Sequence, residues 1–189
     1  MKPRASAAPS LSDPPGGLFI WLLVALELIT FGVALAAFAA SAKAAPEVFH
    51  DSRQLLDPRF GFANTIFLLT SGWFMAEAVR HFRLSDLPRS RRSLVLALGG
   101  GALFLVSKGL EYSDKISHGH TLGSNPFFTW YWLLTVFHLM HFGVGMVILA
   151  NLLRRLDRTR PEDLEAGGVF WHMCDLVWLL LFPALYLLS

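Results

Sequence analysis

Cysteine is almost missing: Cys174 is the only one in 189 residues, which excludes an internal disulfide and any metal site built from several thiolates. Charge is scarce too. Asp, Glu, Lys and Arg make up 16%, against about a quarter in an average soluble domain. The basic residues form no patch interleaved with aromatics, so nothing points to nucleic acid. There is no series of roughly ten-residue alternating segments, which a membrane β-barrel requires. Nor is there a paired repeat of broken hydrophobic segments, the mark of many transporters. What is abundant is apolar: 54% of the chain, gathered into five long blocks separated by short polar stretches.

Blocks of about 18 residues or more have the length of a membrane span. Open strands cannot cross lipid, because their edges leave backbone groups unpaired. The expected fold is therefore an all-α integral membrane protein, a five-transmembrane-helix bundle with spans at about 18–42, 60–82, 93–112, 126–153 and 167–188. These spans make up a transmembrane domain over 18–189. Residues 1–17, rich in Pro, Ala and Ser, read as a disordered cytoplasmic tail. Ala40-Ser41-Ala42 resembles a signal-peptidase site, but the first apolar block is too long for a signal sequence. Gly99–Gly101 and Pro183 would weaken a soluble helix; membrane helices tolerate both, and glycines permit close helix approach.

Lys and Arg set the orientation. The tail and the loops after spans 2 and 4 carry eleven: Lys2, Arg4, Arg80, Arg83, Arg89, Arg91, Arg92, Arg154, Arg155, Arg158 and Arg160. The other side carries four: Lys43, Arg53, Arg59 and Lys115. The N-terminus is expected inside and the C-terminus outside. The cluster Phe127, Phe128, Trp130, Tyr131 and Trp132 then falls at the outer end of span 4, where an interfacial aromatic belt is expected.

Ionisable residues inside a membrane are costly and call for partners. This chain has Glu27, Glu77, Lys108, Glu111, His138, His141, His172 and Asp175 in or at the edge of its spans. His138-x-x-His141 and His172-x-x-Asp175 each place two metal-binding side chains on one helical face. With Glu27 and Glu111 they suggest a di-metal carboxylate centre, or a haem between two histidines. The expected depths oppose one shared centre. His138 and His141 lie roughly 15–20 Å below the outer end of span 4, Glu111 a few Å from the outer end of span 3, and His172 roughly 8 Å from the inner end of span 5. The alternative is a set of hydrogen bonds that fix helix packing: His172 with Asp175, one turn away, or with a neighbouring helix, and His138 and His141 with Glu27. Arg80 with His81, near the inner face, suits an anionic lipid headgroup.

The same residues carry a family resemblance. Phe170-Trp171-His172-Met173-Cys174-Asp175-Leu176-Val177-Trp178 resembles the WHxxDxVW signature in the last helix of haem-copper oxidase subunit III. Phe137-His138 through His141 to Gly145 resembles that family's FHxxHxxxG, and Asn64-Thr65 through Leu68-Leu69-Thr70-Ser71-Gly72 its NTxxLLxSG. Glu111-Tyr112 matches an EY pair, and Glu27 the buried carboxylate of the first shared helix. The ordered matches run from about Gly17 to Leu188.

Long members of that family have seven helices. Five matches its short branch, and the Trp- and Tyr-rich segment before His138 is most similar to NorE-type proteins associated with nitric oxide reductase. Glu77 with Arg80-His81 departs from the WAHH stretch of long members. The resemblance implies a non-catalytic accessory subunit, without redox centre or metal, beside the catalytic subunit of a haem-copper oxidase or nitric oxide reductase in a bacterial inner membrane. It also implies bound phospholipid between its helices, and a role in aerobic respiration or denitrification. Glu27, Asn64, Glu111, His138, His141, His172, Asp175 and Trp178 are then its buried polar motif residues. The competing expectation is a free-standing membrane metalloenzyme using His138, His141, His172 and Asp175.

Overall fold

A computed structural model describes residues 14–187, and among them no strand occurs. The first thirteen residues of the expected tail and the end of the expected last span lie outside the described residues. Six α-helices follow one another: α1 (Leu18–Ala44), α2 (Pro46–Gln54), α3 (Pro58–Arg83), α4 (Leu87–Ser117), α5 (Pro126–Arg154) and α6 (Pro161–Phe182). Prolines mark most of the starts. Pro58, Pro126 and Pro161 occupy the first helical position, where a missing N–H costs nothing. Asp57 and Asn125 cap α3 and α5 by accepting from the N–H groups of Arg59 at 2.9 Å and Phe128 at 2.8 Å.

Four helices, α1, α4, α5 and α6 with its following turn, are long and apolar enough to cross a membrane by length and composition. The helix α3 is also long, but Arg59, Asn64, Thr65, Thr70, Ser71 and Glu77 dilute its apolar character. Half of that polarity is turned inward. Asn64, Thr65 and Ser71 are buried, and Ser71 Oγ donates to the Ala97 carbonyl at 2.6 Å. Ser90 Oγ donates to the Ala78 carbonyl at 2.8 Å in the opposite sense. These two bonds tie α3 to α4, the most intimate helix pair. Next to the first of them Gly100 lies so close to α3 that a Cβ there would sit 2.8 Å from Ser71 Cβ and 3.2 Å from the Phe67 carbonyl oxygen. The triple glycine does not loosen α4; it allows the contact.

The central helix is α6, packed against α3, α5 and α1. It buries Trp171, Cys174, Val177, Trp178 and Leu181. Pro183 lacks the N–H needed to continue an α-helix, and the chain passes into a π-turn over Pro183–Leu187. The most peripheral long helix is α1. It buries only Val24, Phe31 and Phe38, a stripe repeating every seventh residue, and exposes Phe19, Leu22, Leu26, Ile29 and Val33. Residues ahead of α1 turn back onto α6: Trp21 Nε1 donates to the Pro15 carbonyl at 3.0 Å, and Gly16, at φ 77°, lies against the Ala166 backbone.

Three features depart from the sequence expectation. The short helix α2 was not anticipated, because its polar sequence falls between apolar blocks. It buries Phe49 and Ser52, and Arg53 donates to the carbonyls of Leu185 at 3.2 Å and Ala184 at 3.4 Å. Those carbonyls belong to the π-turn, so α2 secures the end of α6. Burial lowers the pKa of the Arg53 guanidinium from its ordinary value. Second, α4 runs on to Ser117 and α6 begins at Pro161, beyond the expected spans. Lys115, reaching the Leu55 carbonyl at 2.7 Å, supports the extension of α4. Third, Phe127, Phe128 and Tyr131 are fully buried rather than set in an outer belt. Their faces meet Phe38, Phe49 and Tyr112 inside the bundle. Only Trp130 and Trp132 remain partly exposed, with N–H groups bonded to Ser41 Oγ and the His120 carbonyl, both at 2.9 Å.

Candidate functional site

The polar residues of the bundle gather in three groups; most are buried, but the His172 side chain is 48% exposed, against the expectation of a buried position. The first lies where α4, α5 and the π-turn meet. Lys108 and Glu111, one turn apart on α4, are 1% and 2% exposed and 3.0 Å apart. Tyr131 donates to Glu111 Oε1 at 2.7 Å, and Tyr186 donates to the same oxygen. Lys108 donates onward to the hydroxyls of Tyr131 at 3.3 Å and Tyr186 at 3.2 Å. Its three protons thus have three acceptors, and the carboxylate accepts three bonds. The rings of Tyr112, Tyr131, Trp178 and Tyr186 surround the ammonium at 4.9 to 5.9 Å, a cation–π cage. No open coordination position remains in this cluster.

The second group lies at mid-helix between α1, α5 and α6. His138 Nε2 is 3.1 Å from the Cys174 carbonyl, which can only accept, so that nitrogen carries the proton. The ring is fully buried, with Phe104, Phe142 and Trp178 around it. His141 uses Nδ1 on the Phe137 carbonyl at 2.9 Å, which again makes that nitrogen a donor. Its Nε2 then faces Glu27 Oε2 at 3.1 Å, within ion-pair distance but off the line of a hydrogen bond.

The third group joins α6 to α3. His172 Nδ1 is 3.4 Å from Asp175 Oδ2, which lies against the space that Gly72 leaves free. Asp175 Oδ1 is buried without a partner among the described residues. Trp178 Nε1 donates to Thr65 Oγ1 at 3.0 Å. Asn64 is fully buried, and neither end of its amide meets a partner among the described residues. At the neighbouring helix end, Arg80 turns to Glu77 at 2.6 Å, and His81 Nε2 approaches the same carboxylate at 3.3 Å.

These positions revise the depth expectation. Because α6 begins at Pro161, His172 lies about 16 Å along the helix, near its middle. Glu111 is likewise about 9 Å from the end of α4. Depth therefore separates His172 from His138 and His141 far less than expected; direction separates them. His138 points to the Cys174 carbonyl, His141 to Glu27, and His172 to Asp175. Among the described residues no three His, Cys, Asp or Glu side chains converge as a metal shell would require. The four residues of the metalloenzyme reading do not form one donor set.

Sequence reasoning undervalued Lys108, Tyr131 and Tyr186. The Lys108–Glu111 spacing was a legible signal, since residues three apart meet on a helix. Nothing local marks Tyr186 as its partner, because that contact is made only by the π-turn.

Comparison with known proteins adds an independent observation. The family model for cytochrome c oxidase subunit III matches residues 19–189. A probable cytochrome c oxidase subunit 3 of Mycobacterium leprae is 31% identical over 127 residues, which cover 65% of this chain and 63% of that protein. A cytochrome c oxidase subunit 3 of Corynebacterium diphtheriae is 29% identical over 139 residues, 71% of this chain and 68% of the relative. One from Synechocystis is 29% identical over 131 residues, 66% of this chain and 55% of the relative. The chain thus spans between about half and two thirds of the length of these relatives.

Proposed function

The chain belongs to the cytochrome c oxidase subunit III family, and we propose that it serves as a non-catalytic, cofactor-free subunit beside the catalytic subunit of a haem-copper oxidase. The supporting observation is how the motif residues are engaged. His172 meets Asp175 on its own helix; Glu111 and His138 each meet a partner on another part of the bundle, and among the described residues the three form no common donor set. Such bonds specify helix packing where lipid gives no hydrophobic discrimination. A multi-pass location in a bacterial plasma membrane fits the apolar helices and the bacterial relatives. A nitric oxide reductase is the second reading of the partner, favoured by the segment Phe127–His141. Phospholipid between the helices suits a cleft of about 820 Å³ beside α1, α5 and α6, where Arg155 and Arg158 stand above Ile20, Ile148 and Phe170.

The proposed topology has five crossings, by α1, α3, α4, α5 and α6, with residues 1–17 inside as a tail and α2 on the outer side. Twenty-six residues give α3 about 39 Å, enough for a hydrocarbon core of about 30 Å. The cation bias sets the direction. A reporter active only outside the cytoplasm, fused after Ser189, should be active. Fused between Arg83 and Arg92 it should be silent, and the reverse pattern overturns the orientation.

The functional test is Glu27. Glutamine there keeps the shape and can donate to neutral His141, so Glu27→Gln should leave the initial oxygen consumption of the parent complex within about twofold. Glu27→Ala removes the partner of His141 and should weaken co-purification with the catalytic subunit. A fall of tenfold or more in initial rate for Glu27→Gln, with the subunit still bound, would place Glu27 in proton delivery and contradict the accessory reading.

A further inference from the structure

Two polar atoms on α6 have no partner among the described residues: the Trp171 indole Nε1, a donor, and Asp175 Oδ1, an acceptor. Both residues are buried, at 0% and 6% exposure. Inside a membrane bundle, each unmade bond costs the group its full desolvation penalty. Packing holds both side chains in place. A Cβ on Gly101 would lie 2.9 Å from Trp171 Cη2, and one on Gly145 3.2 Å from its Cε3, so α4 and α5 wedge the ring. The N–H lies on the opposite edge of the indole from Cε3 and therefore points away from α5. Asp175 Oδ2 occupies the space that a Cβ on Gly72 would take, with His172 Nδ1 at 3.4 Å from the same oxygen. Neither side chain can turn to find another partner.

Residues 171 and 175 are one turn apart and share a face of α6. An unpaired donor and an unpaired acceptor are thus neighbours that do not bond each other. Of the other unpaired buried atoms, on Glu27, Asn64, His81 and Tyr112, none has a second unpaired residue one turn away. Whatever satisfies Trp171 and Asp175 together must accept from an indole N–H, donate to a carboxyl oxygen, and be small. A cation fits only the carboxyl, and an anion only the indole. We propose that one ordered water molecule is held between Trp171 Nε1 and Asp175 Oδ1 as a fixed part of the bundle. A buried water makes about three hydrogen bonds. Ser71 offers the third: it precedes Gly72 on α3 and meets α4 at Gly100, beside the Gly101 contact with Trp171. Its proton goes to the Ala97 carbonyl, which leaves its lone pairs free. The other oxygen of Asp175 faces His172, whose ring is half-exposed. Water, carboxyl and imidazole then form a polar file from the core to the surface at mid-helix. This assigns the Trp171 N–H a role beyond the packing of its ring, whichever complex the chain serves.

The indole proton is the reporter. In the full chain, with its tryptophans labelled with nitrogen-15 and held in detergent micelles, the indole N–H signal absent from Trp171→Phe is that of Trp171. It should show a nuclear Overhauser contact to water, with the sign of a long-lived bound molecule. The contact should be lost in Asp175→Leu, which removes the acceptor at nearly constant shape. It should persist in Asp175→Asn, whose amide oxygen still accepts. A Trp171 signal without any water contact in the native protein overturns the site. So does a contact that survives Asp175→Leu, because the water then does not need the carboxyl. Loss of the contact in Asp175→Asn also overturns it, since the signal then came from a carboxyl proton exchanging with solvent. Helix content by circular dichroism checks that the variants fold; should Asp175→Leu unfold, the native protein and Asp175→Asn decide.

Discussion

Lys108→Ala should destabilise the protein by about 3–5 kcal/mol, the range for removing one partner of a buried ion pair. Glu111 would keep its two tyrosine bonds but lose the cation beside it. Glu111→Ala should cost a similar amount, leaving Lys108 among four aromatic rings with no carboxylate. The informative variant is the double replacement Lys108→Met with Glu111→Gln. Methionine follows the lysine stem, and the Gln carbonyl accepts from Tyr131 and Tyr186. Most of the loss should then be recovered, because no buried charge is left alone. Thermal unfolding of the purified protein in mild detergent measures all three. If the double variant is no more stable than Lys108→Ala, the ion pair is not the principal element of this cluster.

The second large effect lies at the α3–α4 contact. Gly100→Leu would drive a side chain into the Ser71 backbone and the Phe67 carbonyl, where no flexible group can move aside. Overpacking of this kind costs about 1–3 kcal/mol or more, and parting the helices would also break the bond from Ser71 to Ala97. The matched control is one residue away. A Cβ on Gly99 meets nothing within 4 Å, so Gly99→Leu should be neutral or mildly stabilising, as a better helix former replaces glycine. A drop in the melting temperature for Gly100→Leu but not Gly99→Leu is expected. Equal behaviour of the two would mean that the helices do not meet at Gly100.

The contrast between these glycines shows where sequence reading reaches its limit. Three consecutive glycines on a membrane helix announce a close approach, but not which one makes it; that depends on the rotation of α4 against α3. The helical class was legible because long apolar blocks leave no other structure that satisfies the backbone in lipid. Helix ends were less so. Glu162 and Asp163 looked like loop residues, yet they form the acidic first turn of α6, and that placement moves His172 to mid-helix. Spacing offered Asp175 as one partner of His172, and depth left His138 and His141 as equal candidates for Glu27; in the structure His141 is the one beside it. The choice of the Cys174 carbonyl by His138 was not legible, since any backbone carbonyl on a neighbouring helix was an equal candidate. Tyr131 looked interfacial by composition, and only its packing against Lys108 and Glu111 explains its burial.

The inward polarity of α3 bears on how the chain is made. With strongly apolar sequence and few burial requirements, α1 can leave the insertion machinery for lipid unaided. The polar side chains of α3 have less freedom; Thr65 bonds the Gly61 carbonyl of its own helix, but alone in hydrocarbon Asn64 and Ser71 would each need a hydrogen-bonding partner. One is supplied by the next helix synthesised, where the Ala97 carbonyl awaits Ser71. On the proposed five-crossing topology, biogenesis should therefore proceed by a hairpin, with α3 waiting at the machinery until α4 arrives and the two entering the bilayer together. The turn between them, Leu84 to Asp86, includes Ser85 at φ 61°. Its tightness brings the halves of that hairpin together without delay, so the long helix that falls short of a span's apolar length is also the one synthesised next to its main partner.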